Sequence, residues 1–195
     1  EGTVSGVRNL THDILEVRIA LDTPLDYRAG QHANLKVPGV DDPRSYSFAT
    51  APTPGGTAGL VFHIRLVPDG EVSGWLAGGD VTGARVGLDG PHGVFWLRQS
   101  DAPILCVAGG SGMAPIKAIL EQAALARCPR QVRYLFGART QADLYGGVEM
   151  AGLTQNWAGD FSFTPVLSEE PEGSDWDGAR GLVTEWLDRR GKAYF

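Results

Sequence analysis

The sequence is poor in cysteine, with only Cys106 and Cys128 among its 195 residues. Iron–sulfur clusters and structural zinc ions are usually held by several cysteines at set spacings, and no such pattern is present. The four histidines are scattered along the chain, so we predict no metal site. Both thiols are expected to be reduced, as in a cytoplasmic protein.

Positive charge and long apolar segments are also scarce. The formal net charge is -6. Because a nucleic-acid interface needs a basic face that neutralises phosphates, we expect no nucleic-acid partner. No apolar run approaches the roughly 20 residues that span a bilayer, so we expect no membrane partner. No signal peptide is visible, although a start at Glu1 also fits a processed or truncated chain.

Residues 1–98 are predicted to be all-β. Short segments of β-branched or alternating residues are separated by turns rich in glycine and proline, which is typical of a small antiparallel barrel. The predicted strands are ILEVRIAL, QHANLKV, SYSFATA, LVFHIRLV and ARVGLDGPHG. The segment 70–79 (GEVSGWLAGG) instead favours a short helix, with Ser73 as its N-cap.

Residues 103–195 alternate strands with helices, which predicts a parallel sheet covered on both faces. The order is strand APILCVAGG, helix GMAPIKAILEQAALAR, strand QVRYLFGA, helix QADLYGGVEMAGLTQNW, strand DFSFTPVLS, helix GLVTEWLDRR and the start of a strand, KAYF. One side of the first helix repeats apolar residues: Met113, Ile116, Ile119, Leu120 and Ala123. We therefore predict two domains, 1–99 and 100–195, with the boundary near RQSDA (98–102).

A glycine-rich turn separates the first of these strands from its helix. In VAGGSGMAP (107–115), Gly110, Gly112 and Pro115 form a G-x-G-x-x-P pattern, and Met113 and Ala114 would begin the helix. Glycines let the backbone approach a pyrophosphate closely, and the free N–H groups of a helix start favour negative charge. Proline is tolerated in a first helical turn. The pattern favours dinucleotide binding over a purely structural turn.

The second strand of this half ends in FGART (136–140), with Gly137 followed by Arg139. An Asp or Glu that binds the ribose is often found near this point in NAD-specific domains. Arg139 could meet a 2′-phosphate, lie flat over adenine, or be an ordinary surface arginine. The residues leave the choice between NADH and NADPH open.

Five motifs in this order resemble the ferredoxin–NADP reductase superfamily: RSYSFA (44–49), HIRLVPDGEVSGWL (63–76), GPHGVF (90–95), AGGSGMAP (108–115) and FGART (136–140). The resemblance covers essentially the whole chain and implies a flavin-binding β-barrel followed by a Rossmann-like nucleotide-binding domain. It is strongest to the NADH-dependent reductase components of bacterial aromatic-ring and alkane oxygenases. It therefore implies FAD and NADH, with NADPH left open, and an iron–sulfur ferredoxin domain or oxygenase component as the electron acceptor.

The resemblance also assigns roles to the residues of RSYSFA. It implies that Tyr46 packs against the isoalloxazine ring, that the Ser47 hydroxyl lies near flavin N5, and that Arg44 pairs with the pyrophosphate. These residue types suit the roles, since an aromatic face covers a flat ring and a guanidinium matches phosphate oxygens. Tyr46 and Ser47 are thus the expected catalytic residues, acting by position.

Further cofactor-binding residues are implied on both domains. The strand residues His63, Ile64 and Arg65 would line the ribityl and phosphate side of the flavin, although His63 also fits a half-buried strand residue without a catalytic part. The helix start would offer Gly70, Val72 and Ser73 to the pyrophosphate. Ser168, in PVLSEEP (165–171), would contact the nicotinamide cofactor, while the adjacent acidic pair fits a solvated turn. Gly90, Pro91 and Gly93 are expected to form a turn.

The chain departs from the family pattern in two places. Oxygenase reductases of this kind carry a plant-type [2Fe–2S] domain, which we expect on a part of the intact protein outside this chain. The family also continues from an AYF-like strand into a Cys-Gly-Pro motif, whereas this sequence stops at Phe195, so the nucleotide domain is expected to be incomplete. Two alternatives stay open: a stand-alone flavin, ferric or haem-linked reductase, and a flavin-binding subunit without its own NAD(P)H turnover.

Overall fold

The computed structural model describes residues 1–190, and the side chains up to residue 187. The chain divides into two units. The first unit contains residues 1–97 together with 114–122, and the second contains residues 98–113 and those from 123 onward. No helix among the described residues is long and apolar enough to cross a membrane.

The first unit is a six-stranded antiparallel barrel, as predicted. Its strands are β1 (Gly2–Asn9), β2 (Ile14–Leu25), β3 (His32–Lys36), β4 (Arg44–Ser47), β5 (Thr57–Arg65) and β6 (Arg85–His92). They lie in the order β4-β3-β6-β1-β2-β5, and a bridge between Phe48 and Phe62 joins the two end strands. Alternate residues of these strands form one apolar core that includes Val17, Leu35 and Phe62.

Two features of the barrel differ from the sequence predictions. Strand β1 was not among the predicted strands, because its sequence GTVSGVRN has few β-branched residues; it forms by pairing with both β2 and β6. Gly90 and Pro91 lie inside β6 rather than in a turn, and only Gly93 follows the strand with a left-handed φ of 89°.

The short helix α1 (Glu71–Ala77) is present, but the predicted N-cap is wrong. Gly70 occupies the N-cap position with an extended backbone and no side-chain cap hydrogen bond. Ser73 lies in the first turn instead, where its hydroxyl accepts from the Val67 amide and donates to the Gly70 carbonyl (3.3 Å each). The hydroxyl therefore ties the preceding loop to the helix start.

The second unit contains a four-stranded parallel sheet, again as predicted. Its strands are β7 (Ile104–Gly109), β8 (Val132–Ala138), β9 (Phe161–Leu167) and β10 (Ala179–Arg180), in the order β10-β9-β8-β7. The helices that follow β7 are α2 (Met113–Leu125), α3 (Gly147–Asn156) and α4 (Glu185–Arg190), and residues 114–122 of α2 belong to the first unit. All five residues of the predicted apolar side of α2 are buried.

The elements after β8 are shorter than predicted. The segment 141–157 contains a 3-10 turn, Gln141–Asp143, and then α3, which begins after Gly146 in a left-handed conformation (φ 73°). Only the end of the segment 181–190 is helical, and the two-residue strand β10 precedes it. The predicted strand KAYF lies outside the described residues. Cys106 and Cys128 are free thiols, as expected.

Candidate functional site

The strand β4 carries the RSYS motif, and pairing with β3 fixes which way its side chains point. Tyr46 is the partner of the fully buried Ala33, whereas Ser47 is the partner of His32, whose side chain lies on the opposite face. Tyr46 is half-buried beside the barrel core, and this burial raises the pKa of its hydroxyl. The motif thus offers an aromatic ring and a hydroxyl from neighbouring positions, on different faces.

Arg44 is exposed at the start of β4. Its Nη1 donates to the carbonyl oxygens of Asp42 and Pro43, at 3.2 Å each. Both bonds are to the neighbouring loop, and exposed contacts of this kind are readily exchanged for a charged acceptor such as a phosphate oxygen.

The strand β5 presents its residues on alternate faces. Ile64 is fully buried in the barrel core, so only its backbone could line a ligand. His63 and Arg65 lie on the other face, and Arg65 Nε is 3.3 Å from Asp13 Oδ2. Burial, with a smaller effect of the Lys117 charge, lowers the pKa of His63 to about 4. His63 is therefore neutral near pH 7.

The N-terminus of α1 is suited to an anion. The amides of a first helical turn have no partner within the helix, and Gly70 supplies no side-chain cap. Val72 and Ser73 are both buried residues of this turn. A Cβ on Gly70 would lie 2.6 Å from Ser73 Oγ, which leaves no room there for a larger residue. A phosphate oxygen is an acceptor that these amides could use.

In the second unit, the glycine turn lies between β7 and α2. Gly110 has a left-handed φ of 52°, and its carbonyl accepts from the Tyr145 hydroxyl at 2.9 Å. Met113 and Ala114 are buried, so only their backbone could meet a dinucleotide. Pro115 is the third residue of α2, inside the first turn as predicted. The strand–turn–helix context that the G-x-G-x-x-P pattern requires is present.

Two predicted residues follow β8 and β9 at their carboxyl ends. Gly137 is tightly packed, because a Cβ there would lie 3.0 Å from the Val183 side chain. Ser168 is exposed, and its amide donates to the Ala138 carbonyl at 3.0 Å. Parallel strands bring their carboxyl ends to one edge of the sheet, which is where ligands of open α/β folds bind.

Arg139 is held by a residue that the sequence analysis missed. Its Nη2 donates to Asp143 Oδ1 at 2.8 Å, and Asp143 Oδ2 accepts from the amide and hydroxyl of Thr140 at 2.9 Å. Burial alone would raise the pKa of Asp143, but the hydrogen bonds from Thr140 and Arg139 outweigh it, and the pKa lies below its usual value. The capping-box spacing T-x-x-D was the signal in the sequence.

The acidic pair after Ser168 is also more than a solvated turn. Glu170 accepts from the amide and the Nε2 of Gln141, at 2.8 and 2.9 Å. The Glu169 amide donates to the Arg139 carbonyl at 2.8 Å. The Glu170 carboxylate therefore binds Gln141, two residues after Arg139, while Glu169 is bonded to Arg139 through the backbone alone.

Comparison with known families matches two domain families along the chain. Residues 1–96 match the oxidoreductase FAD-binding domain, and residues 106–191 match the oxidoreductase NAD-binding domain. The two matches agree with the two candidate cofactor regions, one on the barrel and one at the parallel sheet.

Individual relatives are electron-transfer proteins. The chain is 46% identical to the xylene/toluene monooxygenase electron transfer component XylA of Pseudomonas putida, over 94% of this chain and 52% of that protein. It is 37% identical to the propane 2-monooxygenase reductase component of a Gordonia species, over 87% and 50%. The chain thus spans about half the length of these relatives.

A solved structure agrees with these relatives. The cytochrome P450 reductase GcoB of Amycolatopsis superposes with a TM-score of 0.86 at 33% identity, over 96% of this chain and 56% of that one. The predicted fold and the two predicted cofactors, FAD and NADH, are confirmed at the level of the domain families. The chain belongs to the ferredoxin reductase family of FAD- and NAD-binding oxidoreductases.

Proposed function

We propose that this chain passes electrons from NADH through FAD to an iron–sulfur acceptor of an oxygenase system. The observation that carries the proposal is the presence, in one chain, of the β4 motif on a barrel and the glycine turn on a parallel sheet. The division of labour that we propose is a flavin domain, 1–99, and a nucleotide domain, 100–195. Bound FAD would supply the conversion of a two-electron hydride donor into single electrons.

The roles of the chain's own residues are to bind and to orient. Arg44 and the α1 amides of Val72 and Ser73 would hold the pyrophosphate, since each offers donors to an anion. Tyr46 would cover the ring, and Ser47 would lie at its edge. No acid, base or nucleophile on the chain is required, because the part of the chain is to bind and to orient.

The charges at the ends of β8 and β9 favour NADH over NADPH. Asp143 already pairs with Arg139, and the Glu170 carboxylate binds Gln141, two residues further along. A 2′-phosphate would be repelled by these carboxylates, whereas a ribose hydroxyl could donate to one of them. The carboxylates thus oppose binding of NADPH, whose 2′-phosphate Arg139 alone would favour.

The acceptor and the compartment are parts of the same proposal. The relatives are reductase or electron transfer components of oxygenase systems, which supports an iron–sulfur domain or oxygenase component as the partner. Two free thiols support a reducing compartment, the cytoplasm. The acidic net charge argues against a nucleic-acid partner.

The test is the visible spectrum of the purified protein with FAD, taken without oxygen before and after each nucleotide. We expect a flavin band that NADH bleaches at much lower concentration than NADPH. A bound flavin that neither nucleotide bleaches would favour a binding subunit without turnover. A protein that binds no flavin would overturn the proposal.

A further inference from the structure

The first unit contains a charged pair, with one member buried, that the proposed roles leave unexplained. Lys117, in α2, is only 8% exposed, and its Nζ lies 2.5 Å from Oε1 of Glu121 one turn later. The same Nζ donates to the carbonyl of Ala49 at 3.1 Å, and the other carboxylate oxygen of Glu121 accepts from the amide of Ala51 at 3.0 Å. Two charged side chains thus bind the backbone of one short segment.

That segment is where the chain changes its strand partner, and we call residues 48–51 the strand switch. The Phe48 amide donates to the carbonyl of Gln31, immediately before β3, at 3.0 Å. The next amide, of Ala49, donates to the carbonyl of Val61 in β5 at 2.8 Å. The hydrogen-bond partner of the backbone thus changes from the segment before β3 to β5 within one residue. The other backbone N–H and C=O groups of the strand switch are therefore not part of a continuous strand pairing.

The pair supplies the partners that the ladder no longer provides. Phe48 and Ala49 are fully buried, and an unpaired carbonyl or amide there would be costly. A third side chain acts in the same way, since the Tyr27 hydroxyl donates to the Thr50 carbonyl at 2.9 Å. Every residue of the strand switch is therefore tied by at least one hydrogen bond to another part of the unit.

Stability alone is a poor explanation for such a pair. Removing the Lys117 charge from water costs about as much as the attraction of Glu121 returns, and buried charges are often replaceable by apolar side chains. Apolar side chains on this helix could not replace the two hydrogen bonds, because Lys117 donates to the Ala49 carbonyl and Glu121 accepts from the Ala51 amide. The arrangement fixes position, and it does so directly after Tyr46 and Ser47.

We propose that Lys117 and Glu121 are positioning residues of the flavin site, which hold the strand switch and thereby set the place of Ser47 at the end of β4. The inference rests on the proposed function, because it assumes that a flavin lies against Tyr46 and Ser47. Lys117 also contributes positive charge close enough to lower the pKa of His63 on β5, after the larger effect of burial. Lys117 therefore also influences β5, a second strand of the candidate site, through its charge.

The test compares four variants of the full-length protein. Lys117→Met and Glu121→Leu each remove one partner, while Glu121→Gln keeps an acceptor for the Ala51 amide. Gln122→Ala is the matched control, because Gln122 is on the same helix and accepts from a different backbone amide, that of Ala29. Three quantities are measured below the melting temperature of each variant: the Kd for FAD, the absorption spectrum of the bound flavin, and hydrogen exchange of amides 48–51 without FAD.

We expect Lys117→Met and Glu121→Leu to raise the Kd roughly tenfold, to shift the flavin spectrum and to speed exchange at the strand switch. Glu121→Gln, which can still accept from the Ala51 amide but loses the ion pair with Lys117, should give smaller changes than Glu121→Leu, and Gln122→Ala should match the native protein. Native affinity, spectrum and exchange in both disrupting variants would overturn the inference. If Lys117→Met does not fold, Glu121→Leu decides by the same criteria. A native protein that binds no FAD overturns both proposals, whereas equal binding by all variants overturns only this one.

Discussion

The two units treat buried polar groups differently. Among acidic and basic side chains, the barrel unit buries Glu16, His63 and Lys117, whereas the second unit buries Asp143, which pairs with Arg139. In the second unit the strands β8 and β9 pack aromatic rings together, with the Tyr134 ring 5.1 Å from that of Phe163. Among the described residues, Tyr134 carries the buried side-chain polar atom that lacks a hydrogen-bond partner. The barrel's interior is thus the more constrained by charge.

The candidate sites differ in the same sense. The barrel would bind through side chains, those of Arg44, Tyr46 and Ser47, whose directions depend on the strand register. The second unit would bind chiefly through backbone groups at the turn between Gly110 and Gly112. Binding through side chains should be sensitive to substitutions that move the strands. Binding through backbone groups should be sensitive to substitutions that add atoms next to the turn. Each of the following predictions tests one side of this contrast.

The largest effect is expected at Gly30, a backbone position in the barrel unit. Its φ is 97°, and a Cβ there would lie 1.7 Å from the carbonyl oxygen of Phe95. Gly30→Ala should lower the free energy of unfolding by at least about 4 kcal/mol, since both the backbone conformation and the contact forbid a side chain. Urea unfolding followed by circular dichroism measures the loss.

Gly59→Ala is the control for this substitution. Gly59 lies in β5 with its nearest contact at 3.9 Å, so the new methyl group has room. A Gly30→Ala protein as stable as Gly59→Ala would show that the loop around Gly30 can move, and that the barrel is less rigid than its contacts indicate.

The second effect concerns acid stability and His63. The pKa of His63 is about 4 in the folded chain and near 6.5 in the unfolded chain. Between pH 4 and 6.5, His63 is therefore protonated in the unfolded chain and neutral in the folded chain. Stability should therefore fall as the pH drops from 6.5 to 4, by about 3 kcal/mol. The measurement is the free energy of unfolding at pH 7, 5.5 and 4.5, and His63→Gln should flatten its slope.

Glu16 extends the same behaviour to lower pH. Hydrogen bonds from Arg8, and then from Arg18, lower its pKa to about 2 from 4.5. Its contribution is present above 4.5 and is lost as the pH falls toward 2. Both arginines are exposed, so we expect this contribution to be only about 1–2 kcal/mol.

For the His63 prediction, between pH 6.5 and 4, His92→Gln is the control, since that histidine is much more exposed. If the free energy of unfolding of His63→Gln depended on pH as steeply as that of the native protein, His63 would not be the group responsible.

A smaller but more specific effect is expected from Arg44. Its hydrogen bonds are to carbonyls of the neighbouring loop, so Arg44→Ala should fold normally. Loss of a charge-assisted bond to the pyrophosphate should raise the Kd for FAD roughly 100-fold. Quenching of flavin fluorescence measures the affinity. Lys36→Ala, an exposed cation on the neighbouring strand β3, should leave it unchanged; equal losses in both variants would indicate a general charge effect instead.

The sequence predicts most of the fold because alternation and helical spacing are local properties. The parallel sheet and the turn before α2 are each marked by a contiguous pattern. The N-cap of α1 is mispredicted because both Gly70 and Ser73 are N-cap residue types, and only the path of the loop from Val67 decides between them. Strand β1 is missed because its partners lie elsewhere in the chain.

The candidate site is less predictable where a residue's surroundings decide its role. Lys117 and Glu121 have the i, i+4 spacing that usually indicates an exposed pair on a helix surface. Their partners are backbone groups of the strand switch, 68 and 70 residues earlier, which no local pattern reveals. Arg139 is different, since the T-x-x-D spacing marks Asp143 as a capping residue in the sequence, and only its ion pair with Arg139 requires the folded turn after β8.

The smallest effect on stability, and the clearest test of the backbone site, is expected from Gly112→Ala. A Cβ at Gly112 would be 3.7 Å from that of Ala108, an ordinary contact, so the free energy of unfolding should change by less than about 1 kcal/mol. If a pyrophosphate approaches this turn closely, the added methyl group should weaken NADH binding roughly tenfold. Gly147→Ala, at the start of α3 with no atom within 4 Å, is the control. The concentration of NADH that half-reduces the bound flavin measures the effect. Equal values for the two variants would mean that the turn does not touch the nucleotide, and that the second unit, like the barrel, depends on its side chains.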